Sequence, residues 1–255
     1  MFRQIFLFTA ALLVLAAPPA VAETESTFEV DAYVALDAYQ GLVEEHLAGT
    51  LRAIRTLAVT SEAQTGEWTA VKPLLDRLSD ELTTDATVWF ALPDGSYAST
   101  ASGQSTETLS DRAYFPDLLA GEDVEGSLVV SKSTGHRSII VATPVARDGK
   151  VVAMIGVSLR ARLVSQFVTE MTDLPDNLTF YALDSDGQAA IHRNPELMFQ
   201  FPSDLGDPSL KAATETILSQ PRGRIGYRFQ ETDRVGVFNK SEATGWHFVL
   251  VQIED

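Results

Sequence analysis

The chain has 255 residues, 45% of them hydrophobic, and contains no cysteine. Its 35 acidic residues outnumber the 19 basic ones, leaving a formal charge of −16 with the acids spread along the chain. Such a field repels nucleic acid and anionic lipid, and without cysteine the fold rests on packing and not on disulfide staples.

Met1 to Gln4 carry one positive charge and lead into IFLFTAALLVLAAPPAVA, an apolar stretch ending in Ala20-Val21-Ala22. This predicts a secretory signal peptide over 1–22, cleaved after Ala22. Pro18-Pro19 interrupt the run before the roughly 20 apolar residues of a membrane span; an uncleaved anchor is the alternative reading. Position 23 is Glu, where a lipid anchor needs Cys. No later stretch approaches spanning length, so the expectation is an exported, soluble protein, periplasmic or secreted.

Residues 23–83 read as helices. Leu36, Val43, Leu47, Leu51, Ile54 and Ala58 recur every three to four residues, predicting one long helix of roughly 45 Å over about 30–60. Gly66-Glu67 is expected to break it, and Trp68, Val71, Leu74, Leu75, Leu78 and Leu82 mark a second helix with Pro73 near its first turn.

From Thr84 the texture changes. TVWFAL, the turn PDGS and YAST read as a hairpin; after an irregular segment containing LSDRAYF (109–115) come SLVVS, RSIIVATPV and VVAMIGVSL, separated by turns at Thr134-Gly135 and Arg147–Lys150. Five short antiparallel strands over 84–158 predict a small α+β module. A second copy follows over 159–255. FYALDSDGQAAIH (180–192) matches WFALPDGSYAST (89–100) around Asp186-Gly187 and Asp94-Gly95, and RVGVFNKSEATGWHFVLV (234–251) matches SIIVATPVARDGKVVAMIGV (138–157). Residues 159–171 read as a linking helix, and 208–220 as another opening at a proline.

The long helix, the Asp-Gly hairpin, LSDRAYF, S-x-S-T-G before a strand ending in ATPV, DGKVVAMIGVSL and the second opening YALDSDG, in that order, resemble the double Cache (PAS-like) periplasmic sensor domains of bacterial receptors. The resemblance covers essentially all of the chain after residue 22. It implies two tandem PAS-like modules with antiparallel sheets behind a long N-terminal helix. The membrane-distal module binds a small molecule and the membrane-proximal one usually does not. In such receptors membrane segments flank the domain; here neither remains after cleavage, so the chain resembles a sensor module freed from its receptor, with a membrane-bound signalling partner expected.

The resemblance also places residues. Arg112 falls where amino-acid-binding relatives hold the ligand carboxylate, and a guanidinium suits that task because it stays charged and offers a rigid fork of donors. Tyr114 replaces a usual Trp. Ser158 stands where those relatives carry an acid for the amine, and an α-amine without a counter-charge is costly to desolvate. The expected ligand is therefore a small organic acid lacking an ammonium group, with an amino acid as the alternative. Ser131, Lys132, Ser133 and Thr143 are expected to supply hydroxyls and a second positive charge, Trp89 and Tyr97 the walls, and His136 a donor from its turn. Against this, Arg112 pairing with Asp111, Asp117 or Glu122 on the surface would contribute little, and Tyr114 and Phe115 read equally as core.

His46, His136, His192 and His247 show no metal-ligand spacing. His46 reads as solvated, and His192 and His247 as structural. No cofactor or metal is expected. A hydrolytic enzyme is disfavoured because no G-x-S-x-G or phosphate-loop pattern occurs. A structural module dimerising through the long helix is the remaining class.

Overall fold

The computed structural model describes residues 30–132 and 134–254; the expected signal peptide lies outside them. Among the described residues no helix is long and apolar enough to cross a membrane.

Helix α1 (Ala32–Ala58) opens at Asp31, whose side chain accepts the Tyr33 N–H at 2.8 Å. The predicted stripe is its buried face: Leu36, Val43, Leu47, Leu51, Ile54 and Ala58 are all buried, joined by Tyr39 and Thr50. The helix stops earlier than Gly66. Thr60 caps the short α2 (Ser61–Gln64) by accepting the Ala63 N–H, so the chain restarts there in a new direction. Helix α3 (Trp68–Glu81) follows. Pro73 sits in its second turn and not its first; it has no N–H to offer the carbonyl of Thr69, but Thr69 is exposed and water can serve instead.

The first sheet comprises β1 (Ala86–Ala91), β2 (Ser96–Ser99), β3 (Gly103–Thr108), β4 (Val124–Val130), β5 (Arg137–Arg147) and β6 (Lys150–Arg160), in the order β3-β2-β1-β6-β5-β4 with every pair antiparallel. It has six strands where five were expected. The extra one, β3, is the GQSTET stretch, an edge strand with almost no buried side chain. The segment after it turns through Arg112 into the short helix α4 (Phe115–Ala120), capped by Gly121 at φ 90°.

Helix α5 (Ala161–Thr172) leads to the second sheet: β7 (Leu178–Leu183), β8 (Ala189–His192), β9 (Arg222–Phe229), β10 (Thr232–Lys240) and β11 (His247–Ile253), ordered β8-β7-β11-β10-β9. Between β8 and β9 lie two 3-10 turns (Pro195–Leu197 and Pro202–Asp204) and α6 (Pro208–Ser219).

The two sheets repeat one plan. One face of each joins a common core with α1: Val88, Phe90, Ile139, Val141, Ile155 and Val157 from the first, Phe180, Ala182, Phe248 and Leu250 from the second. Tyr39 of α1 reaches the second sheet, its ring 4.7 Å from that of Phe180 and 5.3 Å from that of Phe248. The opposite face of each sheet is closed by its own short helix, α4 over Trp89, Ile140 and Met154 and α6 over Tyr181, Phe238 and Val249. The apolar stripe of α1 is thus satisfied within the chain.

Candidate functional site

The stretch LSDRAYF forms a tight turn between β3 and α4. The Arg112 N–H donates to the Leu109 carbonyl at 3.0 Å, and the Phe115 N–H to the Arg112 carbonyl at 3.0 Å. The turn sets Tyr114 and Phe115 inward, both buried, and carries the Arg112 side chain to the end of β4, where its Nη2 donates to the Val130 carbonyl at 2.7 Å. The Arg112 Nε is buried and meets no acceptor.

Tyr114 stacks on Trp89 with centroids 6.4 Å apart. Trp89 lies flat on β6 at Gly156, its cross-strand partner. Tyr97 is buried in the same cluster. Burial raises the Tyr114 hydroxyl well above the ordinary tyrosine range, and the nearby Arg112 cation opposes that shift. Ser158 lies on this face between Thr87 and Ile140, its partners on the two neighbouring strands. Trp89 and Ser158 therefore share one face of the first sheet, with Tyr97 and Tyr114 in the cluster on that face and Arg112 at the end of β4.

Lys132 reaches the same turn but brings no free second charge. Its Nζ donates to both Asp111 carboxylate oxygens, at 2.7 and 2.8 Å, and to the Thr108 carbonyl at 2.6 Å. Lys132, and secondarily Arg112, hold the Asp111 carboxyl below its usual range. Asp111, one of the surface partners considered for Arg112, is thus occupied by lysine, and among the described residues Arg112 makes no ion pair. Ser131 is buried at the base of the β4–β5 turn, where its Oγ accepts the Thr134 N–H at 3.4 Å. Ser133 lies outside the described residues.

Three further expectations are corrected. Thr143 does not face Arg112: Ala142 belongs to the aromatic face while Val141 and Val145 belong to the α1 core, so alternation turns Thr143 toward α1. His136 is exposed and lines a groove with Arg137, Arg160 and Arg162 beside α5. His46 is likewise not simply solvated, for its ring stacks on Phe167 at 5.1 Å and its Nε2 lies 3.2 Å from the Thr84 hydroxyl.

No protein-family model matches the sequence, and no curated protein matches it. Solved structures do. The ligand-binding domain of the amino-acid chemoreceptor PctB of Pseudomonas aeruginosa PAO1, in complex with L-Arg, superposes with a TM-score of 0.71 at 15% identity, covering 88% of this chain and 94% of that one. The chain has the double-Cache fold. The ligand-binding domain of the Pseudomonas fluorescens chemoreceptor CtaA, in complex with L-isoleucine, matches at 0.66 and 16% identity over 88% and 90% of the two chains. The extracellular domain of the putative histidine kinase rpHK1S-Z16 matches at 0.65 and 17% over 86% and 93%.

Within this fold one cluster was not read from the sequence. His192, read as structural, lines a cavity in the second sheet with Tyr181, Tyr227, Phe229 and Arg234. The available signal was parity: Arg234 is in phase with Gly236 and the inward Phe238 along β10, whereas Arg222, Arg224 and Arg228 on β9 alternate with the inward Ile225, Tyr227 and Phe229.

Proposed function

We propose that this chain is a ligand-binding sensor module, not an enzyme, which takes a small carboxylate at Arg112 in its first module and presents the bound state to a membrane-bound partner. One observation carries the reading: the Arg112 guanidinium keeps a buried Nε with no acceptor, beside an aromatic floor of Trp89 and Tyr114, while the adjacent Asp111 is held by Lys132. A cation kept partly dry and unpaired in a chain of net charge −16 is suited to a guest anion.

The strand positions of that face offer Thr87 and Ser158 among rings, and the adjacent Asp111 is taken up by Lys132. That supports an organic acid over an amino acid. The amino-acid reading is favoured by the ligands of the PctB and CtaA domains, L-Arg and L-isoleucine.

Thermal unfolding with succinate, isovalerate and leucine separates the two, since a ligand of the native state raises the midpoint by mass action. We expect isovalerate or succinate to raise it, leucine to do so less, and Arg112→Ala to remove the rise. A rise of several degrees surviving in R112A shows that Arg112 is not the anchor, and a larger rise with leucine transfers the assignment to amino acids.

A further inference from the structure

The second sheet carries a partly open cavity on its outer face, flanked by α6 and the two 3-10 turns. Its walls are Leu197, Leu205 and Leu210 on the helical side and Tyr181, Tyr227 and Phe229 on the sheet. About 30 Å³ of it is reachable by water, room for roughly two or three water-sized groups.

The polar groups that converge there favour an anion. Arg234 lines the cavity, its guanidinium carbon 5.1 Å from the centroid of Phe229. Its Nε is buried with no acceptor, and among the described residues it makes no ion pair with a carboxylate. Tyr227 and Tyr181 line the cavity beside Arg234. His192 stacks on Tyr181 at 5.7 Å and 10°, and its Nδ1 accepts the Asn194 N–H at 2.8 Å; in the neutral ring that leaves the proton on Nε2, a further donor. Burial, and next the Arg234 charge, hold His192 neutral, with its pKa lowered to about 4. The cavity thus gathers a cation and N–H and O–H donors among leucines, with no carboxylate in its lining. A partly buried cation without a counter-ion is suited to an anion, and a carboxylate with a short apolar tail would supply both the missing charge and contact with the leucines.

We propose that the second module holds a binding site of its own, in which Arg234, Tyr227 and His192 receive a monocarboxylate of about the size of acetate. This goes beyond the site at Arg112 and does not rest on it.

The test is titration of the isotope-labelled full chain with sodium acetate at millimolar concentrations, against sodium chloride at matched ionic strength, following backbone amide shifts. Saturable changes are expected at 181–183, 189–192 and 227–234. They are expected to vanish in Arg234→Gln and in Leu210→Trp, which fills the cavity from α6. They are expected to persist in Arg228→Gln, an exposed arginine of the same sheet bonded to the Glu231 carbonyl. No saturable change in the wild-type chain overturns the proposal, as does binding that survives in whichever of R234Q and L210W remains folded. Changes confined to 109–115 and 130–132 also overturn it, by assigning acetate to the first module.

Discussion

Gly156 lies in the middle of β6 directly beneath the ring of Trp89. A Cβ placed there would come within 2.0 Å of the Trp89 Cζ2, so the absence of a side chain is what lets the indole lie on the sheet and form the floor under Tyr114. Gly156→Ala must push the ring away and disturb the stack; overpacking of this kind costs about 1–3 kcal/mol. The expected outcome is a lower urea midpoint at unchanged slope, together with a weaker response to succinate or isovalerate. A variant as stable and as responsive as wild type would show that the ring is not held there. At this scale the sequence singled out Arg112 and Tyr114, because an arginine flanked by rings in a polar segment stands out. It was uninformative about Lys132, whose partner Asp111 is distant along the chain and recognisable only once β3 and β4 are folded. Thr143 was assigned to the wrong face for a different reason. Strand β5 is buried on both faces from Ser138 to Ala142, and a strand buried on both sides reads as one apolar run with no visible parity.

Helix α1 was the most legible element, since aliphatic residues recurring at helical spacing between charged ones are what a helix with one buried face requires. Its packing gives the stripe energetic content. Tyr39 packs on Phe180 and Phe248 of the second sheet, and Leu36, Leu47, Leu51 and Ile54 lie with residues of both sheets in one continuous cluster. Leu47 is fully buried, so Leu47→Ala is expected to cost about 2–5 kcal/mol through lost contact and the cavity left behind, read as a fall in the urea midpoint. A loss below about 1 kcal/mol would mean that the helix surface relaxes freely and that α1 is not the spine joining the sheets. Strand β3 was illegible for the opposite reason. As an edge strand with no buried residue, it needs no apolar alternation, and GQSTET carries the composition of a loop. Helix α4 has six residues, too few for a period to be read. The repeated Asp-Gly hairpins, in contrast, signalled the duplicated plan, because each needs positive φ at the glycine: Gly95 at 87° and Gly187 at 84°.

One cluster joins α1 to both sheets, so a proton bound at a buried ring is expected to be felt in the stability of the fold around it. His192 has its folded pKa lowered to about 4 from an ordinary 6.5 by burial and by Arg234, and burial also lowers His46 and His247. A histidine whose folded pKa is depressed takes up its proton more readily in the unfolded chain, so stability is greatest above the unfolded pKa and falls as pH drops toward the folded one. For His192 that window runs from 6.5 down to about 4. A depression of that size corresponds to up to about 3 kcal/mol at about 1.4 kcal/mol per pH unit. Glu125 and Asp184 act against it: burial raises their folded pKa, so they favour the folded state as they protonate, at the acid end of the window. The expected profile is a decline in unfolding free energy as pH falls from 6.5 to about 5. His192→Gln removes the largest histidine contribution and is expected to reduce the decline by roughly 1–3 kcal/mol, measured by urea unfolding across that range. Arg234→Gln relieves the second cause of the depression, so His192 is expected to titrate at higher pH in that variant, an effect visible in its ring proton shifts. If the pH profile of H192Q is superimposable on that of wild type, the His192 ring is not held neutral by its surroundings, and the group of donors around Arg234 loses one member.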